Sequence, residues 1–120
     1  MRVIMCGSRT WKDRDAVRVI LHGLIRVHGE LTVIHGGCLS GADLHVARLA
    51  AQADSVTVEA YRANWDLHGK YAGPLRNRLM ADSGADLCVA FTDLPATAGT
   101  AHMIRCAKRA GIPVLQVSHP

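Results

Sequence analysis

Apolar residues along the chain follow two alternating patterns: short, nearly continuous runs, and longer stretches where they recur every three or four positions. RVIMC (2–6), LTVIH (31–35), VTVEAY (56–61), DLCVAF (86–91) and PVLQVS (113–118) are of the first kind. Runs of that length predict strands, and their lack of polar alternation predicts a sheet covered on both faces. Between them, residues 13–28 set Val17, Ile20, Leu21, Leu24 and Ile25 at helical spacing. GADLHVARLAAQA (41–53) carries Leu44, Ala47, Leu49 and Ala51 through a second helix. GPLRNRLMADSG (73–84) reads as a third, with Pro74 near its first turn and Gly84 as its stop. AHMIRCAKRAG (101–111) is the fourth. Strands alternating with helices in this way predict a single doubly wound α/β domain of about five parallel strands, with helices on both faces.

In such sheets, ligands bind beyond the carboxyl ends of the strands, near the switch in strand order. Those ends carry the long loops: CGSRTW (6–11), HGGCLSGAD (35–43), RANWDLHGKYAGPLRN (62–77) and TDLPATAGT (92–100). The opposite ends have ordinary connections such as HGE and AGIP. GSR is either a plain turn or a place where glycine admits a phosphate to the backbone and Arg9 reaches it bidentately. In the second loop Ser40 and Asp43 have capping-box spacing, which makes Asp43 either a helix cap or a site carboxylate. Gly36, Gly37 and Gly41 leave the amides of that loop open toward a ligand. Gly99-Thr100 closes the fourth loop where a helix begins, a natural anion cradle without paired glycines. His35 reads as a supporting histidine. The histidines show no HxH or HExxH spacing, so neither a metal nor another cofactor is expected.

Length, charge and cysteines narrow the classes. At 120 residues the chain is one domain. No apolar stretch approaches the roughly 20 residues of a membrane helix. The start, MRVIMCGSR, is broken too soon by Gly and Arg for a signal peptide, so a cytoplasmic protein without membrane contact is expected. Cys6, Cys38, Cys88 and Cys106 lie far apart with no CxxC pair and read as reduced thiols, not a zinc site. A net charge of +4 and a pI near 9.2 suggest nucleic acid. Aromatics, however, are only 4% of residues and none is interleaved with a basic run, so a stacking platform for single strands is missing. Arg9, Lys70 and Arg76 stand singly near loops, which suits a small anionic ligand and no specific nucleic acid.

GSRTWKD, HGGCLSGAD, ANWDLHGKYAGPLRNRLM, ADLCVAF and GTAHMIRCAKRAGIPV, in that order, resemble the YspA-like family of the SLOG superfamily over essentially the whole chain. The W-x-x-HGK-x-AGP-x-RN-x-x-M block from Trp65 to Met80 is the most specific part. The resemblance implies a Rossmann-like domain that binds a nucleotide or nucleotide-derived signalling ligand, as sensor, carrier or phage-type sponge. Because LOG phosphoribohydrolases are relatives, it also leaves open an N-glycosidase acting on nucleoside monophosphates. Transferred to this chain, it implies ligand contacts from Gly7, Ser8 and Arg9, from Gly36 and Gly37, and from Arg76 with Asn77. In LOG enzymes the fourth loop resembles PGG-x-GT-x-x-E. Here Pro95, Gly99 and Thr100 are kept, Ala96 and Thr97 replace two glycines, and Met103 stands where the catalytic glutamate would be. Thr97, Gly99 and Thr100 are therefore implied as phosphate contacts, while Asp43, Asp66 and Arg76 are the candidates for a catalytic role, the two carboxylates as substitutes in acid/base work. Asp66 also has the plainer reading of holding Trp65 in place. Superfamily relatives form dimers or larger assemblies, so a homo-oligomer is expected.

Overall fold

In the computed structural model, which describes residues 1–38, 40–93 and 95–118, five strands make one sheet. The strands are β1 (Arg2–Gly7), β2 (Leu31–His35), β3 (Val56–Ala60), β4 (Leu87–Phe91) and β5 (Val114–Val117). Their order is β3-β2-β1-β4-β5, and every pairing is parallel. The helices are α1 (Arg14–His28), α2 (Gly41–Ala50), α3 (Trp65–His68), α4 (Ala72–Asp82) and α5 (Ala98–Arg109), with a 3₁₀ turn at Gly69–Tyr71 between α3 and α4. The result is the Rossmann-like α/β domain.

The near-continuous apolar strands follow from burial on two sides. Val3, Met5, Val33, Val89 and Phe91 meet Val17 and Leu21 of α1 and Val46 and Leu49 of α2 in one core. Their neighbours in sequence, Ile4, Cys6, Ile34, Cys88 and Ala90, point the other way, against Met80 and Ala81 of α4 and Met103, Ile104 and Ala107 of α5. Alternate residues of a strand face opposite sides, so a strand covered twice needs apolar residues throughout. After β3 the chain crosses to the far side of β1 to lay down β4, and the switch in strand order therefore falls between β1 and β4.

Several boundaries differ from the sequence reading. The second helix stops at Ala50, and the fourth begins at Ala98 instead of Ala101. Gly99 and Thr100 thus belong to the first turn of α5. The stretch before Pro74 is not all loop. Asn64 Oδ1 accepts from Leu67 N at 3.1 Å and caps α3, which runs through the 3₁₀ turn into α4. That segment has no apolar periodicity to announce it. β1 continues through Gly7, which is in register with Phe91.

At Gly7 the packing leaves no room for a side chain. A Cβ there would lie 2.2 Å from the Phe91 carbonyl oxygen and 2.8 Å from Ala42 Cβ. At Gly41 the backbone takes φ +66°, and a Cβ would lie 2.3 Å from the Ser8 carbonyl oxygen. Among the described residues no helix is long and apolar enough to cross a membrane.

These contacts predict opposite outcomes for two substitutions of the same kind. Gly7→Ala forces β1 from β4 and should cost about 3 kcal/mol or more, the upper end for overpacked cores. Gly23→Ala, on α1 with open space around it, should gain roughly 0.5–1 kcal/mol from helix propensity. Urea unfolding of both variants checks the pair, and equal effects would refute the packing at Gly7.

Candidate functional site

A cavity of about 290 Å³ opens at the carboxyl edge of the sheet, where β1 ends and α5 begins. Its first wall is the turn after β1. Ser8 N still donates to Phe91 O at 3.0 Å, so the chain leaves β4 only after that residue. The Ser8 carbonyl then accepts from Trp11 N at 3.2 Å and from Ala42 N at 3.1 Å, tying the turn to the start of α2. The Ser8 hydroxyl is buried, 2.8 Å from Thr10 Oγ1, and accepts from Thr10 N at 3.2 Å. Arg9 and Thr10 remain exposed on the cavity wall.

The second wall is the N-terminus of α5. Thr97 is the N-cap in an extended conformation, and its side chain makes no cap hydrogen bond. Its hydroxyl donates instead to Thr100 Oγ1 at 3.1 Å. The N–H groups of the first turn have no acceptor within the helix, and the helix dipole adds partial positive charge there. Gly99 keeps the approach open, with nothing within 4 Å of where a Cβ would stand.

α4 joins these walls. Arg76 Nη1 donates to Gly36 O at 2.9 Å and Arg76 Nε donates to Asn77 Oδ1 at 3.0 Å. Asn77 Nδ2 donates in turn to Gly99 O at 3.3 Å and to His102 Nδ1 at 3.2 Å. Asp43 faces Arg76 across the Gly36 backbone: a Cβ on Gly36 would lie 2.6 Å from Arg76 Nη1 and 2.8 Å from Asp43 Oδ2. The capping-box reading of Ser40 and Asp43 is corrected here. Ser40 sits at the N-cap without a side-chain bond, and Asp43 turns back to accept from Cys38 N at 3.3 Å. The carboxylate is nonetheless buried at the cavity.

Gly7, Ser8, Arg9, Asp43, Arg76, Asn77, Thr97, Gly99 and Thr100 thus line one cavity. Gly36 lies behind Arg76 and Asp43, and Gly37 packs against the Arg62 side chain, so neither lines it. Asp66 is exposed on α3 and also lies off the lining. Sequence reasoning did not assign Cys6, Thr10, Cys38, Met80 or Met103 to the ligand contacts; all five line the cavity, Met103 from within the core. Helical spacing could have signalled two of them. Met80 is one turn beyond Asn77, and Met103 one turn beyond Thr100, so each lies deeper along a face that carries a polar wall residue.

The electrostatics favour holding an anion over attacking one. Hydrogen bonding with Cys88 and burial push the Cys6 thiol well up, while burial and then Asp43 push up that of Cys38. Both stay protonated near neutral pH and are poor nucleophiles. His35 accepts from Gly37 N at Nδ1 at 3.0 Å and so braces the second loop. Among the described residues no three His, Cys, Asp or Glu side chains cluster closely enough to hold a metal ion. Two guanidinium groups, an uncapped helix N-terminus and threonine hydroxyls, against a floor of Met80, Met103 and Cys6, suit a small phosphate-bearing molecule with an apolar part.

The chain is similar to known proteins over much of its length. The model of a family described as the YspA, cpYpsA-related SLOG family matches residues 1–68, which span the first two loops. Over 119 residues the chain is 45% identical to the Gene 61 protein of Mycobacterium phage D29, covering 95% of this chain and 94% of that protein.

The two histidines behind the cavity predict how stability depends on pH. Burial lowers both pKa values from 6.5; Arg62 adds to this at His35, where Asp43 opposes it, and Arg105, Arg78 and Arg109 add to it at His102. The folded state therefore keeps both imidazoles neutral, each accepting at Nδ1, while the unfolded chain takes up protons first as pH falls. Stability should be full above about pH 6.5 and be lost as pH drops through the lower folded values. Urea unfolding between pH 7.5 and 5 checks this. His35→Asn and His102→Asn, which keep an acceptor near the Nδ1 position, should each flatten the profile, and a flat profile in the parent would refute the assignment.

Proposed function

We propose, from the premise that the chain belongs to the YspA, cpYpsA-related SLOG family, that its cavity binds a nucleotide or nucleotide-derived signalling molecule by its phosphate. The observation that carries this reading is convergence: Arg9 from the β1 turn, Arg76 from α4 and the free N–H groups of α5 border one small cavity, although they are far apart in the chain. A dianionic phosphate can accept from both guanidinium groups and from backbone N–H groups together, which few other anions of that size do as well. The role is to sense, carry or sequester the ligand, in the cytoplasm and without specific nucleic acid.

Binding without turnover fits the side chains. Met103 occupies the position of the LOG-type glutamate and is buried in the core, and Asp93, the acid of the fourth loop, is exposed and off the cavity lining, so that loop brings no carboxylate to the cavity for acid/base work. Among the described residues Asp43 is the only carboxylate on the cavity wall. It is what an N-glycosidase reading must rest on, since Asp66 is exposed elsewhere. A homo-oligomer belongs to the same proposal. Leu75 and Leu79 lie four residues apart on α4, and Tyr71 lies four residues before Leu75 at the end of the 3₁₀ turn; all three are exposed, with Leu67 exposed on α3. A second copy of the chain is the occupant we assign to this stripe.

Three measurements test these readings. Arg9→Ala and Arg76→Ala should each weaken AMP binding in calorimetry by about 1.5–3 kcal/mol, the scale of a charge-assisted hydrogen bond, and AMP incubated with the parent should return intact. Unchanged affinity in both variants would remove the site. Steady release of adenine that is lost in Asp43→Asn would instead establish the glycosidase. Light scattering should give a multiple of 12.9 kDa, reduced to the monomer by Leu75→Lys with Leu79→Lys. A monomeric parent at tens of micromolar protein would refute the assembly.

A further inference from the structure

The chain's two tryptophans have opposite surroundings. Trp11 is 3% exposed and packs against Phe91, with ring centroids 5.8 Å apart. Trp65 is 48% exposed, on a helix of one turn. Its place is nonetheless well defined. Asn64 caps that turn, the far edge of the indole lies over Gly73, where a Cβ would come within 3.2 Å of Cη2, and the Arg9 guanidinium carbon stands 5.8 Å from the ring centroid. Arg9 itself lines the cavity. A large aromatic surface left in water is thus fixed against a cation at the site.

We infer that the Arg9–Trp65 pair is the base subsite: the indole supports the Arg9 guanidinium, and that guanidinium stacks on the aromatic base of the ligand. This rests on the nucleotide reading above and names the part of the ligand that the phosphate contacts leave unassigned. A guanidinium is planar, weakly hydrated and able to stack on aromatic faces while its N–H edges donate in their own plane, so Arg9 can face the base and still reach a phosphate or ribose oxygen. Lysine could do only the second. Stacking of this kind reads an aromatic face and not a hydrogen-bonding edge, and larger rings gain more from it. The subsite therefore takes heteroaromatic bases in general and purines most tightly. Met80, Met103 and Cys6 supply the apolar surroundings opposite the polar walls.

The test compares AMP with ribose 5-phosphate, which keeps the phosphate and sugar and lacks the base. In calorimetry the parent should bind AMP about tenfold more tightly than ribose 5-phosphate, a modest stacking contribution. Trp65→Leu should remove most of that difference while changing ribose 5-phosphate affinity less than about threefold, Arg9→Lys should remove most of the difference while weakening both compounds, and Trp65→Phe should keep it. AMP, but not ribose 5-phosphate, should also quench the fluorescence of Trp65, with Trp65→Phe giving the baseline from Trp11. Equal affinity of the parent for the two compounds would overturn the subsite while leaving the phosphate site standing. Equal weakening of both in Trp65→Leu would also overturn it, reducing Trp65 to a support for a phosphate-binding arginine. Failure of ribose 5-phosphate to bind the parent would overturn the phosphate reading itself.

Discussion

The geometry of the site depends on a contact with no side chain in it. At Gly7 the backbone of β1 lies so close to β4 and α2 that a Cβ would sit 2.2 Å from the Phe91 carbonyl oxygen and 2.8 Å from the Ala42 methyl group. The strand can therefore stay paired to its last residue, and the following turn is held between the end of β4 and the start of α2. Ser8 completes the joint by donating to Phe91 O and accepting from Ala42 N. Arg9 leaves the sheet from this fixed point, which sets where its guanidinium can go.

A second frame crosses the cavity. Arg76 and Asn77 are adjacent on α4, yet one bonds to the loop after β2 and the other to the first turn of α5. This pair couples the positions of two walls that no strand pairing connects. It also explains why His102 matters although it does not line the cavity: its Nδ1 accepts the Asn77 amide and so helps to fix the group that holds Gly99. Burial and three nearby arginines keep that imidazole neutral, which leaves Nδ1 able to accept.

The chemistry of the cavity is one-sided. Positive partial and formal charges line its polar walls, its thiols are held protonated, and its one carboxylate among the described residues already accepts a backbone N–H from Cys38. Such a site stabilises a negative charge that is already present. It has little with which to activate water or protonate a leaving group, and for this reason we propose binding and not turnover.

The amino-acid sequence by itself determined the alternation of buried strands and amphipathic helices, because periodicity reports how many faces of an element are covered, and that is a local property. It also determined which loops hold the polar chemistry. Arg9 and Thr100 stood out as a charged and a hydroxylated residue close after a glycine at a strand end and a helix start, whereas Arg76 and Thr97 were assigned as ligand contacts only through the resemblance to the family. The segment from Trp65 to Tyr71 was less legible, since a one-turn helix and a 3₁₀ turn leave no period. Only the tertiary structure decided that Asp43 faces Arg76 and does not cap α2 with Ser40, that Gly36 backs the site while Gly7 borders it, that Asp66 stays outside, and that Met80 and Met103 form its floor. Most of these depend on residues that lie far apart in the chain. A local pattern carries no information about that distance, and the crossover from β3 to β4 sets it.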